Sequence, residues 1–337
     1  MERLIANIKR IVVVGTSSGG IETLRTLASG VPADLAAPIC IVIHRHPQSQ
    51  GLTAGILGGA GPLPARDAED GERLENGRIY VAPVDRHLIV EPGQLRLARG
   101  PRENLSRPAI DPLFRSAAQV YGPAAIGVIL TGDLDDGAAG LDTIRKLGGV
   151  TIVQDPNDAL APSMPRNALQ YGPVDFCVPA HQIPALLVRV LAQEPPETAA
   201  LRVPRDVEVE LNIAREDARP MDTGLNEIAE PSMLACPECH GVLLRLKHAH
   251  PSRFRCHTGH AYSGESLVAA LNVGVEESLW GAVRALEEAE ILLMELSRVH
   301  SHRADDGAGH VARATQARAQ ASAIRDVLNE RSNLQAS

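Results

Sequence analysis

Ile11-Val12-Val13-Val14-Gly15-Thr16-Ser17-Ser18-Gly19-Gly20 decides the fold of this chain. Four β-branched residues in a row, apolar toward both sides, read as a parallel strand buried on two faces. The glycines that follow permit a sharp turn into the helical pattern Ile21 to Leu27. Outward from this unit the alternation recurs. Ile39 to Ile43, Ile126 to Leu130 and Val150 to Val153 are further β-branched runs. Pro112 to Val120 and Ala138 to Leu147 are helical patterns, the second stopped by Gly148-Gly149, and Pro184 to Ala192 forms a closing helix. Such alternation predicts a doubly wound α/β domain with a mostly parallel sheet. Arg78 to Val81, His87 to Val90 and, after Pro92-Gly93, Gln94 to Leu97 read instead as antiparallel hairpins.

Composition narrows the function. With 33 Lys+Arg against 41 Asp+Glu, the 337-residue chain carries a net charge of −8, which argues against nucleic acid or an anionic membrane surface as the main partner. Hydrophobic residues at 44% suffice for a core, and eight aromatics make that core aliphatic and a base-stacking platform untenable. No apolar run reaches the roughly 18 residues of a membrane span. No signal-peptide apolar segment follows Met1-Glu2-Arg3, so the cytoplasm is the expected location.

Residues 1–193 are expected to form the α/β domain and 194–232 a linker, with a short strand at Val207 to Leu211 its one candidate element. Residues 233–262 form a small unit and 263–337 a helical hairpin. Ser263 is placed as an N-cap, and Leu279, Val283, Leu286, Leu293 and Leu296 make an apolar helical face. Asp305 to Gly309 breaks the pattern, and Ala312 to Arg331 resumes it. That face either packs within the hairpin or supplies a partner or oligomer contact.

Three polar elements sit at the carboxyl ends of strands, where open α/β sheets collect functional groups. Gly15 to Gly19 contains G-x-S-x-G at a strand-to-helix turn, which exposes the Ser17 hydroxyl beside a helix N-terminus able to stabilise negative charge. Competing readings are a dinucleotide fingerprint, a P-loop and a plain glycine-rich turn. The first fails because Ser17 replaces the second glycine and the next strand ends in His44; the second lacks G-K-[ST]. His44 is placed to accept the Ser17 proton. In Thr131-Gly132-Asp133-Leu134-Asp135-Asp136-Gly137 one aspartate could orient that imidazole; N-capping and cation binding are the alternatives, though the calcium-loop pattern is not met.

Five cysteines, three of them between 236 and 256, exclude a disulfide scaffold. Cys236-x2-Cys239, sixteen residues, then Cys256-x3-His260 is the spacing of a tetrahedral zinc site, with His257 and His240 as substitutes for His260. Four protein ligands close the sphere, so the zinc is expected to build structure rather than catalyse. A redox C-x-x-C lacks a thioredoxin-like setting here. Cys40 and Cys177 read as core residues.

The region from about 10 to 190 resembles the catalytic domain of CheB, the chemotaxis protein-glutamate methylesterase. The family's G-x-S-[TS]-G-G stands as Gly15 to Gly20, its strand ending in histidine as Ile43-His44-Arg45-His46-Pro47, and its L-T-G-x-x-x-D-G-A-A-G as Leu130 to Gly140. Tyr80 to His87, Arg107 to Phe114 and Met164-Pro165 extend the match. The resemblance implies a serine hydrolase: Ser17 the nucleophile, His44 rather than His46 the base, Asp136 the orienting acid, and the backbone amides near Ser18 and Asp133 the oxyanion site. It implies demethylation of glutamyl methyl esters on a chemoreceptor-like protein, with glutamine deamidation as a related activity and no cofactor for the chemistry. Zinc-ribbon tails are similar to those of receiver-less members.

Two departures stand out. Asp133-Leu134 replaces the family's common Met-Gly and puts a carboxylate near the oxyanion site. The first strand begins by about residue 11, leaving no room for a phosphorylatable receiver domain ahead of it. Both motivate a second reading, a scaffold that kept the fold, lost efficient chemistry and acts through its zinc unit and helical tail.

Overall fold

The computed structural model describes residues 8–45, 51–196, 202–217, 219–299 and 304–335; His46 and Pro47 lie outside them. The first strands are β1 (Ile11–Thr16), β2 (Ile39–Ile43), β3 (Ala65–Asp67), β4 (Ile79–Val81), β5 (His87–Glu91), β6 (Gln94–Ala98), β7 (Ala125–Ile129), β8 (Val150–Gln154) and β9 (Phe176–Val178). Seven of them form one sheet in the order β3-β4-β2-β1-β7-β8-β9, parallel at every pairing. Helices α1 (Gly20–Gly30), α2 (Thr53–Ala60), α3 (Ile110–Tyr121), α4 (Ala138–Lys146), α5 (Ser163–Tyr171) and α6 (Ile183–Leu191) cover both faces.

The all-apolar strands explain the two layers. Ile11 and Val13 point into one core with Val42, Leu113, Phe114 and Ile144, beneath α3, α4 and α5. Val12 and Val14 point into the other with Leu24, Leu27, Ile41 and Leu187, beneath α1, α2 and α6. The doubly wound expectation holds. The chain leaves β1 to build β2 on one side and returns to place β7 on the other, so a topological switch point lies between β1 and β7.

Two details correct the sequence reading. Of the three runs read as hairpins, β5 and β6 pair antiparallel, whereas β4 joins the main sheet, parallel to β2 and β3, because three residues are too few for alternation to reveal a strand's partner. Cys40 is buried in β2, but Cys177 is exposed, since β9 is an edge strand paired only with β8.

Where the sequence predicts a linker with a strand at Val207 to Leu211, residues 202–232 hold helix α7 (Arg205–Arg215), and a one-turn helix, Leu225–Ile228, follows. Val207, Val209, Leu211 and Ile213 alternate like a strand; α7 buries Glu210 and Ala214 as well, so burial on several sides hides the 3.6 period. A four-stranded antiparallel sheet of β10 (Ala229–Ala235), β11 (Val242–Leu246), β12 (Arg253–Cys256) and β13 (Ala261–Ser263) completes the first compact unit, which extends to Leu267.

Buried charge joins these parts. Glu103, between β6 and α3, pairs with Arg115 of α3 and, at 2.9 Å, with Arg255 of β12. Glu210 of α7 pairs with Arg253 and, at 3.0 Å, with Arg255. Burial opposes charge on Glu210, and the arginines overcome it, holding its pKa well below the usual carboxylate range.

Residues 268–337 form a second compact unit. Helix α8 (Gly264–Val299) runs into it and α9 (Ala304–Gln335) returns antiparallel, joined by Glu290–Arg318 and by Glu287–Arg325 at 2.5 Å. Val283, Ala314, Ala317, Ala321 and Leu328 are buried. Asp305 to Gly309 does not break α9; these residues form its first turns. Among the described residues no helix is long and apolar enough to cross a membrane.

Removing one partner of a buried ion pair strands the other charge, at a cost of about 3–5 kcal/mol. Glu103→Gln is therefore expected to lower the urea midpoint far more than Arg318→Ala, whose side chain is exposed and screened by water. Equal effects would contradict the buried-charge account.

Candidate active site

Ser17 follows β1, His44 follows β2, and the Thr131–Gly137 loop follows β7, so the sheet order alone brings all three to one crevice. Thr131 fixes the serine turn. Its carbonyl accepts from the Ser17 N–H at 3.0 Å and from Thr16 Oγ1 at 2.8 Å, and its own hydroxyl donates to the Ser18 carbonyl at 2.9 Å. Gly132 must be glycine: a Cβ there would lie 2.8 Å from Ser17 Cβ and 2.2 Å from Met164 Sδ. Gly19, at φ +76°, makes the left-handed step into α1. Ser17 is half-buried.

His44 Nε2 lies 2.7 Å from Asp136 Oδ2. Asp136 is almost fully buried and also accepts from the Ile110 N–H at 2.6 Å and from Asn104 Nδ2 at 3.0 Å. Ile110 opens α3, so the carboxylate sits at the positive end of a 12-residue helix. Burial opposes charge on Asp136, but the bonds from His44, Ile110 and Asn104 hold its pKa below the ordinary value. Neighbouring Asp111 behaves oppositely: burial and then the Asp136 charge push it up to about 7. Burial likewise pushes Asp135 up to about 6, although Ser263 donates to it. Of the three loop aspartates, only Asp136 touches the imidazole; Asp135 faces Ser263 and Asp133 is exposed.

Asp133 meets the other side of the crevice, its Oδ2 accepting from Ser18 Oγ at 2.5 Å. Among the described residues the backbone N–H groups of Ser18 and Asp133 are spent on no other group. A cleft of about 100 Å³ opens beside His44, lined by Arg45, Arg102 and Arg107 as well as Asp85. Sequence reasoning passes over Asn104, Thr131 and the separate role of Asp111. Thr131 stands inside the quoted L-T-G motif; Asn104, in an irregular loop, carries no periodic signal.

Cys236, Cys239, Cys256 and His260 converge, with their donor atoms all within 4.8 Å of one another. Cys239 and Cys256 Sγ are 3.6 Å apart, and His260 Nδ1 lies 3.7 Å from Cys236 Sγ and 3.6 Å from Cys256 Sγ. A tetrahedron with ligands at about 2.3 Å has edges near 3.8 Å, so this set can hold a metal ion. His260 Nε2 faces Glu238 at 3.6 Å, and Tyr262 donates to Glu238 at 2.9 Å, an outer layer that orients the imidazole. His240 and His257 are not part of the cluster.

The model of the CheB methylesterase family matches residues 12–187. A putative protein-glutamate methylesterase/protein-glutamine glutaminase of Leptospira interrogans (serogroup Icterohaemorrhagiae, serovar copenhageni) is 39% identical over 180 residues, 53% of this chain and 93% of that protein. Protein-glutamate methylesterase/protein-glutamine glutaminase 2 of Anaeromyxobacter dehalogenans is 40% identical over 180 residues, 52% of each chain. The crystal structure of the Thermotoga maritima CheB methylesterase catalytic domain superposes with a TM-score of 0.52 at 34% identity, covering 54% of this chain and 98% of that one. This chain belongs to the CheB methylesterase family.

Proposed function

We propose that the protein hydrolyses glutamyl methyl esters on a protein substrate through Ser17, His44 and Asp136. The observation that carries this is the 2.7 Å bond between His44 Nε2 and an ionised, buried Asp136 at the strand ends beside Ser17. Because Asp136 is the acceptor, Nε2 carries the proton and Nδ1 is left to take the Ser17 proton. Ser17 Oγ attacks the ester carbonyl and gives its proton to His44, the Ser18 and Asp133 amides receive the oxyanion, and the imidazolium returns the proton to the departing methoxide, which leaves as methanol. Water then attacks the acyl-enzyme, with His44 as base, and releases glutamate. A glutamine side chain would follow the same course and release ammonia. Arg45, Arg102 and Arg107 beside His44 suit an acidic helical segment such as the methylated region of a cytoplasmic chemoreceptor or similar sensor.

Zinc fits the four-residue cluster best, since three thiolates and an imidazole at tetrahedral spacing are its preferred donors. With no open position it serves structure, fixing the Cys236–Cys239 and Cys256–His260 loops of the small sheet. Exposed Trp280, Ile291 and Leu292 on α8 offer an apolar surface through which the helical hairpin would oligomerise.

One observation favours the scaffold reading: the Asp133 carboxylate, clamped by Ser18, adds negative potential where an oxyanion must form.

Methanol release from a methylated receptor fragment should fall by about 10³-fold or more in Ser17→Ala. Equal rates would refute the esterase reading. Asp133→Asn should raise the rate by about threefold or more if its charge opposes the oxyanion; a wild type with no turnover, unaltered by this change, would support the scaffold. Metal analysis of the purified protein should find about one zinc per chain, and its removal should abolish the cooperative unfolding of residues 229–263 seen by amide exchange; less than about half an equivalent would count against the site.

A further inference from the structure

Asn104 makes every hydrogen bond its side chain can make, and divides them between the candidate triad and the segment Ser263 to Ser266 that opens α8. Its Nδ2 donates to Asp136 Oδ1 at 3.0 Å and to Asp111 Oδ2 at 3.2 Å. Its Oδ1 accepts from the Ser263 N–H at 2.9 Å and from Ser266 Oγ at 3.0 Å. Two donors and two acceptor sites are the full capacity of a carboxamide. The backbone is fixed as well. Asn104 N–H donates to the Ala261 carbonyl at 2.9 Å and Ala261 N–H to the Arg102 carbonyl at 3.1 Å, which stitches β13 to the 102–104 segment. Asn104 has φ +48°, a left-handed conformation that asparagine tolerates better than most residues.

The partners on the far side are themselves rigid. Ser263 caps α8, with Ser266 N–H donating to Ser263 Oγ and Ser263 N–H to Ser266 Oγ, both at 2.9 Å. Ser263 Oγ also donates to Asp135 Oδ1 at 2.6 Å, next to the triad acid in the chain. Ser266 is fully buried and Asn104 is 8% exposed, so water does not replace these bonds.

We propose that Asn104 is a positioning residue for Asp136, and that β13 and the first turn of α8, through Ala261, Ser263 and Ser266, hold Asn104 in place. The small metal-binding sheet is then a working part of the catalytic apparatus rather than an appendage. This rests on the triad reading given above. The chemical need is clear. Asp111 and Asp136 are two buried carboxylates close enough to raise one another's proton affinity, and one amide group donates to both. Asp136 also faces His44 from the end of β2, and Asp135 and buried His87 feel its charge; Asp111 is backed by Arg115 at 3.8 Å and acted on by Arg253 and Glu103. Without the Asn104 donor, protonation of the Asp111–Asp136 pair spreads onto Asp136. Protonated, Asp136 loses the charge that stabilises the His44 imidazolium.

The test uses the full chain with Asn104→Gly, which keeps the left-handed backbone, and Ser266→Ala, which alters only the first turn of α8. Asn104→Gly should lower kcat for methanol release by about tenfold or more while KM stays within about twofold. The acid limb of its kcat/KM profile should move up by about half a pH unit or more, because a carboxylate that has lost a donor binds its proton more tightly. Ser266→Ala should move the same limb in the same direction by less. If Asn104→Gly fails to fold, judged by thermal unfolding, the acid limb of Ser266→Ala decides between the two outcomes. Fluorophosphonate labelling of Ser17 in the wild type separates the two levels. A wild type that labels, with both limbs unmoved and kcat within twofold, overturns this inference alone; a wild type that does not label overturns the triad reading and this inference with it.

Discussion

Glu103 and Glu210 keep their charges with about 1% of either side chain exposed, held by Arg115, Arg253 and Arg255. The five residues come from the segment before α3, from α3, from α7 and from β12. Charges this deep are tolerable only when all partners are present, because desolvation of each ion costs several kcal/mol. The cluster therefore makes the α/β sheet, the α7 segment and the small antiparallel sheet depend on one another. It also lies next to Asn104, so the constraint that joins the parts fixes the loop that reaches the triad acid.

At the other end of that loop, the site is built from differences in environment between like groups. Asp111, Asp135 and Asp136 are all buried, yet of the three only Asp136 meets the His44 imidazole, besides accepting from the Ile110 N–H and Asn104. It stays ionised, while the other two shift toward the neutral form. Separation of proton affinities among neighbouring carboxylates is a feature of acid–base sites, and together with the His44 contact it supports the proposed role of Asp136. Asp133, by contrast, is exposed and tied to Ser18.

The sequence disclosed the parts governed by short-range pattern. The β-branched runs of β1, β2, β7 and β8 placed the sheet, the glycine and histidine motifs at their ends placed the crevice, and the cysteine spacing placed the metal cluster. Ser263 was legible as an N-cap because capping is local. What escaped was set by tertiary contact. The α7 helix alternates like a strand because it is enclosed on several sides, β4 is too short to show its pairing, and Cys177 is exposed because its strand lies at the sheet edge. Asn104 was invisible because its importance comes from four partners scattered over 160 residues of chain.

In the proposed function a serine nucleophile activated by His44 and Asp136 operates at the carboxyl ends of β1, β2 and β7. The most direct measurement is peptide mapping after reaction of the full-length protein with a fluorophosphonate. The account predicts a single adduct on Ser17, formed far more slowly in His44→Ala. An adduct on another residue, or labelling of Ser17 at the same rate without His44, would contradict it.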